Sequence, residues 1–444
     1  MKKLAVAIVQ YEKPLESVRR VVALSNGLDQ LKPHSKVFIK PNIVFWARTA
    51  VFPKWGVITT SRVVEDMVVL LKERGIDDIT ISDGMVVEPN DTETPAHAFE
   101  SLGYAKLKKR YGVRFFPMMA HPFEKVDLGD GVVLNFNEDI LHSDFIVNLP
   151  VLKTHSQTVV SLGIKNLKGT IDIASRKKCH NADPGKDLHY MVARLADKMP
   201  SMLTLIDGIY SNERGPGFDG HIHRTNLLVA SSDVLAADMV GAQLLGQDPM
   251  DVPHLVYAAK NRKRPLDMSD IEVKGETIED LAKHRETTFE FSQADDGSWL
   301  PAPLVKKGMK GISYRRFDLS LCTYCVEAYS RILAAVIDAW RKGQRWDKVE
   351  ILSGKSMKPT PGMKKTILLG KCIYQANKDN PAIEEMIAVK GCPPKAENIV
   401  KALEQAGIKI NPVLIQDPAF LPELLMKQYQ DRPDFDEQFY MVGE

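Results

Sequence analysis

The sequence lacks any run of about 18 apolar residues, the length that a helix needs to cross a membrane. It also lacks an excess of one charge, because 59 Lys and Arg residues stand against 57 Asp and Glu residues, a formal net charge of +2. A protein that binds nucleic acid or a membrane surface usually carries a pronounced basic excess. We therefore expect neither a membrane span nor a nucleic-acid partner.

Cysteine is scarce, with 5 in 444 residues. A small and odd number of cysteines does not make a disulfide framework, and it fits a reducing compartment. The apolar stretch 4–9 is too short for a secretory signal and is soon followed by Glu12 and Lys13, so an N-terminal strand is the better interpretation. The predicted location is cytoplasmic.

The length of the chain exceeds what one hydrophobic core usually supports. Over residues 1–260, apolar runs of strand length alternate with helical patterns, which is typical of an α/β domain with a mostly parallel sheet. Residues 261–317 are rich in charged and turn-forming residues and are predicted to be a linker or insertion. A smaller C-terminal α/β unit is predicted over 318–444. The predicted fold class is therefore α/β, a mostly parallel sheet domain plus this smaller C-terminal α/β unit.

Four of the five cysteines lie in the C-terminal unit. Cys322 and Cys325 form a C-x-x-C pair at a predicted helix start, Cys372 follows a predicted strand, and Cys392 lies in a Gly-Cys-Pro-Pro turn before another helix. Four thiolates are the usual ligands of a [4Fe-4S] cluster, and free N–H groups at helix starts stabilise its negative charge. We predict such a cluster on these four residues.

Two other interpretations of the cysteines stay open. Structural zinc also takes four cysteines, but it favours two C-x-x-C knuckles and the sequence has one. Unligated cysteines in a core are the other interpretation, because free cysteine is commonly buried.

The cysteine region resembles the proximal-cluster region of nickel–iron hydrogenase small subunits. Those proteins also carry a C-x-x-C pair, a later Gly-x-Cys after a strand, and a Gly-Cys-Pro-Pro turn that leads into a helix. The stretch 391–403 (GCPPKAENIVKAL) is similar to that family's ending. The resemblance implies a cluster, but it does not imply hydrogenase activity, because the nickel-binding cysteines of the partner subunit are absent.

Polar motifs follow one predicted strand after another in the first domain. Ligands bind beyond the carboxyl ends of the strands in open α/β sheets, so we expect these side chains to line one cleft. Lysine and asparagine suit a carboxylate or phosphate, and His155 and Asp207 are candidates for moving protons. The candidates for binding a substrate are Lys40, Asn42, Asp83, Lys153, Lys165, Asn166 and Lys168.

The alternative for this set is that Asn42 and Asp83 serve turns while the lysines lie on solvated surface. The sequence contains no P-loop and no G-x-G-x-x-G, so nucleotide binding has no motif in its favour.

The same motifs resemble the family catalogued as domain of unknown function 362, over roughly residues 35–250. The matching motifs are KPN at 40–42, SDG at 82–84, NLPVLKTH at 148–155, GIKNLKG at 163–169 and DGI at 207–209. Members of that family often carry an iron–sulfur module, usually a run of closely spaced cysteines, whereas four widely separated cysteines take its place here. The family's chemistry is not generally established, so the resemblance implies architecture more than activity.

Together these patterns predict an iron–sulfur redox protein. Its [4Fe-4S] cluster would exchange electrons with a redox partner protein or with a small anionic substrate in the first domain. Whether the chain is an enzyme is left open, with oxidoreductase chemistry favoured. The alternative is a non-redox ligand-binding protein or enzyme with a structural metal site, and a scaffold role also stays open.

Overall fold

The computed structural model describes residues 3–48, 54–87 and 91–443. Its internal contacts divide the chain into two units. Unit 1 comprises Met1–Arg176, His189–Thr288 and Leu425–Glu444, and unit 2 comprises Lys177–Leu188 and Phe289–Leu424. The short segment Lys177–Leu188 therefore belongs to unit 2 although its neighbours in the chain belong to unit 1.

Unit 1 is built of strands and helices that alternate along much of the chain. Its strands are β1 (Leu4–Gln10), β2 (Val37–Pro41), β3 (Ile79–Ile81), β4 (Arg114–Phe115), β5 (Phe123–Asp127), β6 (Val133–Asn137), β7 (Phe145–Leu149), β8 (Val151–His155), β9 (Val159–Ser161), β10 (Met202–Glu213), β11 (His221–Ser231) and β12 (Ile271–Gly275). The helices are α1 (Glu16–Leu24), α2 (Ser61–Glu73), α3 (Glu93–Ser101), α4 (Tyr104–Tyr111), α5 (Glu138–Leu141), α6 (Gly163–Asn166), α7 (Ile173–Cys179), α8 (Leu188–Val192), α9 (Val234–Leu244), α10 (Pro253–Asn261) and α11 (Ile278–Leu281). The chain passes between the units within α7 and α8.

One large sheet organises unit 1. Its strand order is β12-β1-β11-β10-β7-β2-β3-β4, with β8 beside β10 and β9 beside β8. The run β10-β7-β2-β3-β4 is parallel, whereas β11 is antiparallel to both β1 and β10. Strands β2, β7 and β8 are buried along their whole length, as expected for a parallel sheet covered on both faces. The predicted α/β class with a mostly parallel sheet is confirmed.

The segment predicted to be a linker, 261–317, contains regular structure. Strand β12 pairs in parallel with β1 at the edge of the large sheet. Its apolar residues Ile271 and Val273 alternate with Glu272 and Lys274, a period-two pattern that suits an edge strand, although charge-rich neighbours obscure it in the sequence.

Unit 2 is a smaller α/β unit. It contains β13 (Phe291–Gln293), β14 (Trp299–Pro301), β15 (Ile312–Ser313), β16 (Val349–Ser353), β17 (Lys365–Leu369) and β18 (Glu385–Val389). Its helices are α12 (Ala302–Lys306), α13 (Thr323–Arg341), α14 (Lys371–Asn377), α15 (Ala396–Gln405), α16 (Val413–Gln416) and α17 (Phe420–Met426), the last of which ends in unit 1. Strands β15-β16-β17-β18 form a parallel sheet in chain order.

The apolar face of α13 forms much of the core of unit 2. Ile332, Ala335 and Val336 are fully buried in one cluster with Ile351 of β16 and Ile367 of β17. The spacing of the three helical residues places them on one face, and that face covers the sheet. Among all helices of the described residues, α13 included, none has the length and apolar character required to cross a bilayer.

Helix α9 begins at a side-chain cap. The Oδ1 atom of Asp233 accepts a hydrogen bond of 2.7 Å from the Ala236 amide, and the Asp233 carboxylate also pairs with Arg264 at 2.5 Å. An N-cap carboxylate satisfies an amide that has no partner within the helix.

We expect Asp233→Ala to lower the free energy of unfolding by about 1–2 kcal/mol, because it removes the cap and the partner of Arg264. Urea unfolding followed by circular dichroism measures the change. Asp233→Asn is the matched control, since it keeps an acceptor oxygen at the cap and should retain most of the midpoint. Equal midpoints for Asp233→Ala and the parent protein would contradict this role.

Candidate functional site

The four cysteines of unit 2 lie at the starts of helices and in a loop between a strand and a helix. Cys322 is the N-cap residue of α13, and Cys325 lies in its first turn, where its amide donates to the Cys322 carbonyl at 2.9 Å. Cys372 is the second residue of α14, a helix that the sequence did not predict. Cys392 lies in the loop between β18 and α15.

Backbone hydrogen bonds join the loops that carry Cys372 and Cys392. The Gly370 amide donates to the Val389 carbonyl at 2.7 Å, and the Lys371 amide donates to the Gly391 carbonyl at 2.9 Å. Gly370 has a φ of +106°, and a Cβ atom placed on it would lie 3.9 Å from Sγ of Cys325. The positive φ favours glycine at this position, and the distance shows that Gly370 lies beside the first turn of α13.

The thiols influence each other electrostatically. The pKa of Cys325 is raised well above its usual range, first by its hydrogen bond with Cys322, then by burial, and then by Cys392 and Cys372. Burial also raises the pKa of Cys372, and Cys392 and Cys322 act in the same direction. The four predicted cysteines thus lie within electrostatic reach of one another. Cys322 and Cys325 are half-buried and the other two are exposed.

Two lysines lie beside the cysteines. Nζ of Lys177 is 3.6 Å from Sγ of Cys392. Lys355 and Lys177 both oppose the raised pKa of Cys372, which places two positive charges within electrostatic reach of its sulfur. The fifth cysteine, Cys179, is fully buried in α7.

Within the described ranges, no group of three or more His, Cys, Asp or Glu side chains is arranged to hold a metal ion. A tetrahedral zinc ion draws its four sulfurs to about 3.8 Å from each other, given a Zn–S bond of about 2.3 Å. A four-iron cluster binds each cysteine on a different iron, so its ligands stand farther apart. The cluster on these cysteines stays a prediction.

A buried ion pair marks the polar edge of the large sheet in unit 1. Lys40 of β2 and Asp83, which follows β3, lie 2.5 Å apart, and each side chain is 1% exposed. The second oxygen of Asp83 accepts the amides of Ile43 at 2.7 Å and Val44 at 3.0 Å. The pair forms because β2 and β3 are parallel neighbours whose carboxyl ends meet at one edge.

The GIKNLKG run packs against this ion pair. Asn166 accepts a hydrogen bond from Nζ of Lys40 at 3.2 Å and donates to Oδ1 of Asn148 at 2.8 Å. A Cβ atom on Gly169 would lie 2.5 Å from Asp83 and 2.7 Å from Lys40, which is closer than side-chain atoms approach. Glycine at 169 is therefore required for the run to close over the pair, and Lys168 beside it is buried.

Lys153 and Asn42 share one acceptor near the pair. Nζ of Lys153 and Nδ2 of Asn42 donate to the Val57 carbonyl at 3.0 and 2.7 Å. Burial lowers the pKa of Lys153 to about 7. The negative charge of Asp83 acts to raise this pKa, and the positive charge of Lys40 acts to lower it. Neither Lys40 nor Lys153 lies on solvated surface.

His155 and Lys165 form a second pair in unit 1. Nδ1 of His155 accepts the Gln157 amide at 3.0 Å, and its Nε2 lies 3.3 Å from Nζ of Lys165. His155 is nearly buried and Lys165 is half-buried. These two predicted residues are thus neighbours through their side chains.

His254 is a residue that the sequence interpretation missed. It is fully buried in α10, and its ring stacks on that of His189 with 6.0 Å between centroids. Its pKa lies well below the usual range because of burial and the neighbouring His189 and Lys165. The sequence does show a histidine within the apolar stretch of α10. Most histidines in such stretches are buried simply by packing, so this pattern alone does not indicate a functional residue.

Asp207 and Asp238 each hold backbone amides. Asp207 accepts the amides of Thr60 at 2.7 Å and Ile209 at 3.1 Å, and burial raises its pKa to about 6. Asp238 accepts the Gly163 amide at 2.6 Å and the Ile164 amide at 2.8 Å, and burial raises its pKa to about 7. Asp207 thereby holds the residue before α2, and Asp238 holds the start of the GIKNLKG run.

The segment of unit 1 that contains the polar edge matches a known family. Residues 37–243 match the family model described as Domain of unknown function (DUF362). The resemblance inferred from the sequence is confirmed over this segment, which carries Lys40, Asp83, Lys153 and Lys165. The four cysteines of unit 2 lie outside the DUF362 segment.

Two similar proteins extend beyond that segment. "Thylakoid-associated protein sll1697" of Synechocystis sp. is 27% identical over 257 residues, which cover 56% of this chain and 74% of the relative. The structure of the lactate racemase apoprotein from Thermoanaerobacterium thermosaccharolyticum shares 12% identity at a TM-score of 0.38, over 95% of this chain and 81% of that one. A similarity at that score carries no conclusion about fold or activity.

We expect Lys40→Met to lower the free energy of unfolding by about 3–5 kcal/mol, because it leaves the Asp83 carboxylate buried without its partner. The double variant Lys40→Met/Asp83→Leu should lose less free energy of unfolding than the single variants Lys40→Met and Asp83→Leu lose together. Urea unfolding of the parent protein, the two single variants and the double variant gives the coupling energy. The exposed pair Arg19–Glu73 is the matched control, where coupling should stay below about 1 kcal/mol.

The pKa of Lys153 predicts a pH dependence of stability. Between about pH 7 and 10.5 the unfolded chain binds this proton and the folded protein does not, so the free energy of unfolding rises with pH by up to about 1.4 kcal/mol per unit. We expect Lys153→Met to flatten this rise in urea titrations, whereas Lys342→Met, at an exposed position, should leave it unchanged. Parallel curves for the parent protein and Lys153→Met would refute the assignment.

Proposed function

We propose that the protein is an iron–sulfur redox protein in which Cys322, Cys325, Cys372 and Cys392 bind one [4Fe-4S] cluster. The observation that supports the proposal is that four thiols from three separate parts of unit 2 lie within electrostatic reach of one another. Unligated cysteines of a core would have no reason to gather at two helix starts and an exposed loop. When bound, such a cluster takes up or releases single electrons.

The donor set fits this group chemically. A hydrogen bond with Cys322 and burial raise the pKa of Cys325, burial raises the pKa of Cys372, and the other thiols act in the same direction, so four thiolates need compensating positive charge. Metal ions supply that charge and deprotonate the thiols that bind them. The start of the 19-residue helix α13 and the nearby Lys177 and Lys355 favour a negatively charged group at the same place.

The exposure of Cys372 and Cys392 supports electron exchange with an external carrier. Both thiols are exposed, whereas Cys322 and Cys325 are half-buried. An electron carrier that binds at this surface would lie close to the proposed ligands. A redox partner protein is therefore part of the proposal. The cytoplasmic location stays a prediction.

The small anionic substrate proposed for unit 1 is supported by the His155–Lys165 pair. Because Nδ1 of His155 accepts the Gln157 amide, the proton of a neutral imidazole lies on Nε2. That N–H group then faces the Lys165 ammonium, which also donates, at 3.3 Å. A carboxylate or phosphate oxygen is able to accept hydrogen bonds from both groups. His155 would hold or move a proton there, and Lys165 would bind the negative charge.

The competing proposal is a non-redox ligand-binding protein or enzyme in which the metal only stabilises the fold of unit 2. In this function the metal would join the first turn of α13 to the two cysteine loops, which the Gly370 and Lys371 amides already bind to each other. In that case, loss of the metal would unfold unit 2. The two functions therefore differ in what happens to the fold when a cysteine is removed.

We expect the anaerobically purified full chain to contain about four iron atoms per chain, and to give an EPR signal that changes on reduction with dithionite. Cys372→Ala should lose the iron and the signal while circular dichroism shows a folded chain. Cys179→Ala is the matched control and should keep both. One zinc per chain without an EPR signal would overturn the cluster, and unfolding of Cys372→Ala would favour the structural role.

A further inference from the structure

Hydrogen bonds hold the first residues of the segment Lys177–Leu188 in place within unit 2. Nζ of Lys355 donates to the Lys177 carbonyl at 3.0 Å and also to the His180 carbonyl. Nδ1 of His180 contacts the Leu319 carbonyl at 2.9 Å, and both Cys179 and His180 are buried. The backbone of Lys177 is therefore held in one place relative to the cysteines of the unit.

The side chain of Lys177 is directed at the cysteine group by two contacts. Its Nζ lies 3.6 Å from Sγ of Cys392 and 5.1 Å from the centroid of the Tyr324 ring. Tyr324 lies between Cys322 and Cys325 in the chain, so the ammonium group is near two of the three parts of the chain that carry the predicted ligands. An ammonium at this distance from a sulfur acts as a charged hydrogen-bond donor.

We propose that Lys177 sets the reduction potential of the group bound by the four cysteines, by donating a hydrogen bond to Cys392 and placing a fixed positive charge beside it. This inference rests on the proposed function. Reduction adds one electron, supplied by a one-electron donor, and no bond is formed or broken. The added negative charge is stabilised by the ammonium, so Lys177 favours the reduced form and raises the potential.

The expected change is a tenfold shift in the ratio of reduced to oxidised protein. For Lys177→Met in the full chain, that ratio at a fixed potential should fall about tenfold, which is about 59 mV lower in midpoint for one electron. EPR-monitored titration with dithionite under anaerobic conditions measures the midpoint. Lys177→Arg keeps the charge and should stay close to the parent protein, and Lys342→Met removes an equal charge from the end of α13 and should have no effect.

Iron analysis separates this inference from the proposed function. A parent protein without iron ends the proposed function, whereas an iron-loaded Lys177→Met with an unchanged midpoint ends only the role of Lys177. Lys177→Gln is a second neutral variant should Lys177→Met not bind iron. Loss of iron from both neutral variants would also overturn the inference, because the lysine would then be required for assembly rather than for the potential.

Discussion

The Lys40–Asp83 ion pair is the interaction on which the polar edge of unit 1 depends. Two opposite charges with almost no exposure are stable only if each also has hydrogen-bond partners. Asp83 has the amides of Ile43 and Val44, and Lys40 has Asn166 and the Pro41 carbonyl. The pair therefore fixes the turn after β2 and the position of the GIKNLKG run together. Gly169 is constrained by the same contact, since a side chain there would separate the two charges.

The two units place their candidate residues by the same rule. In unit 1, Lys40 and Asp83 lie at or just beyond the carboxyl ends of β2 and β3, and Lys153 lies within β8, the strand that follows the carboxyl end of β7. In unit 2, Lys355 follows β16, Cys372 follows β17, and Cys392 follows β18. Parallel strands bring their carboxyl ends to one edge, so residues distant in the chain become neighbours there. A parallel sheet is the common physical basis of both sites.

The sites differ in how charge is balanced. In unit 1, carboxylate, ammonium, amide and carbonyl groups satisfy one another, and burial lowers the pKa of Lys153 toward neutrality. In unit 2, the neighbouring thiols contribute to the raised pKa of Cys325 and of Cys372. Lys177 and Lys355 act to lower the pKa of Cys372. The charges of the first arrangement are matched within the protein, whereas the thiols of the second are suited to binding metal ions. This difference is why the metal proposal concerns unit 2 and not the lysine-rich edge of unit 1.

The order of residues along the chain was sufficient for the fold class and for the placement of Lys40 and Asp83 at strand ends, because these follow from local periodicity and the direction of parallel strands. It did not reveal β12, whose alternation is short and surrounded by charged residues, or α14, which begins directly after β17. It also did not assign Lys177 to the cysteine unit or His254 to the neighbourhood of Lys165. Those neighbours are separated by many residues, and only tertiary packing decides which distant side chains meet and which charges are buried.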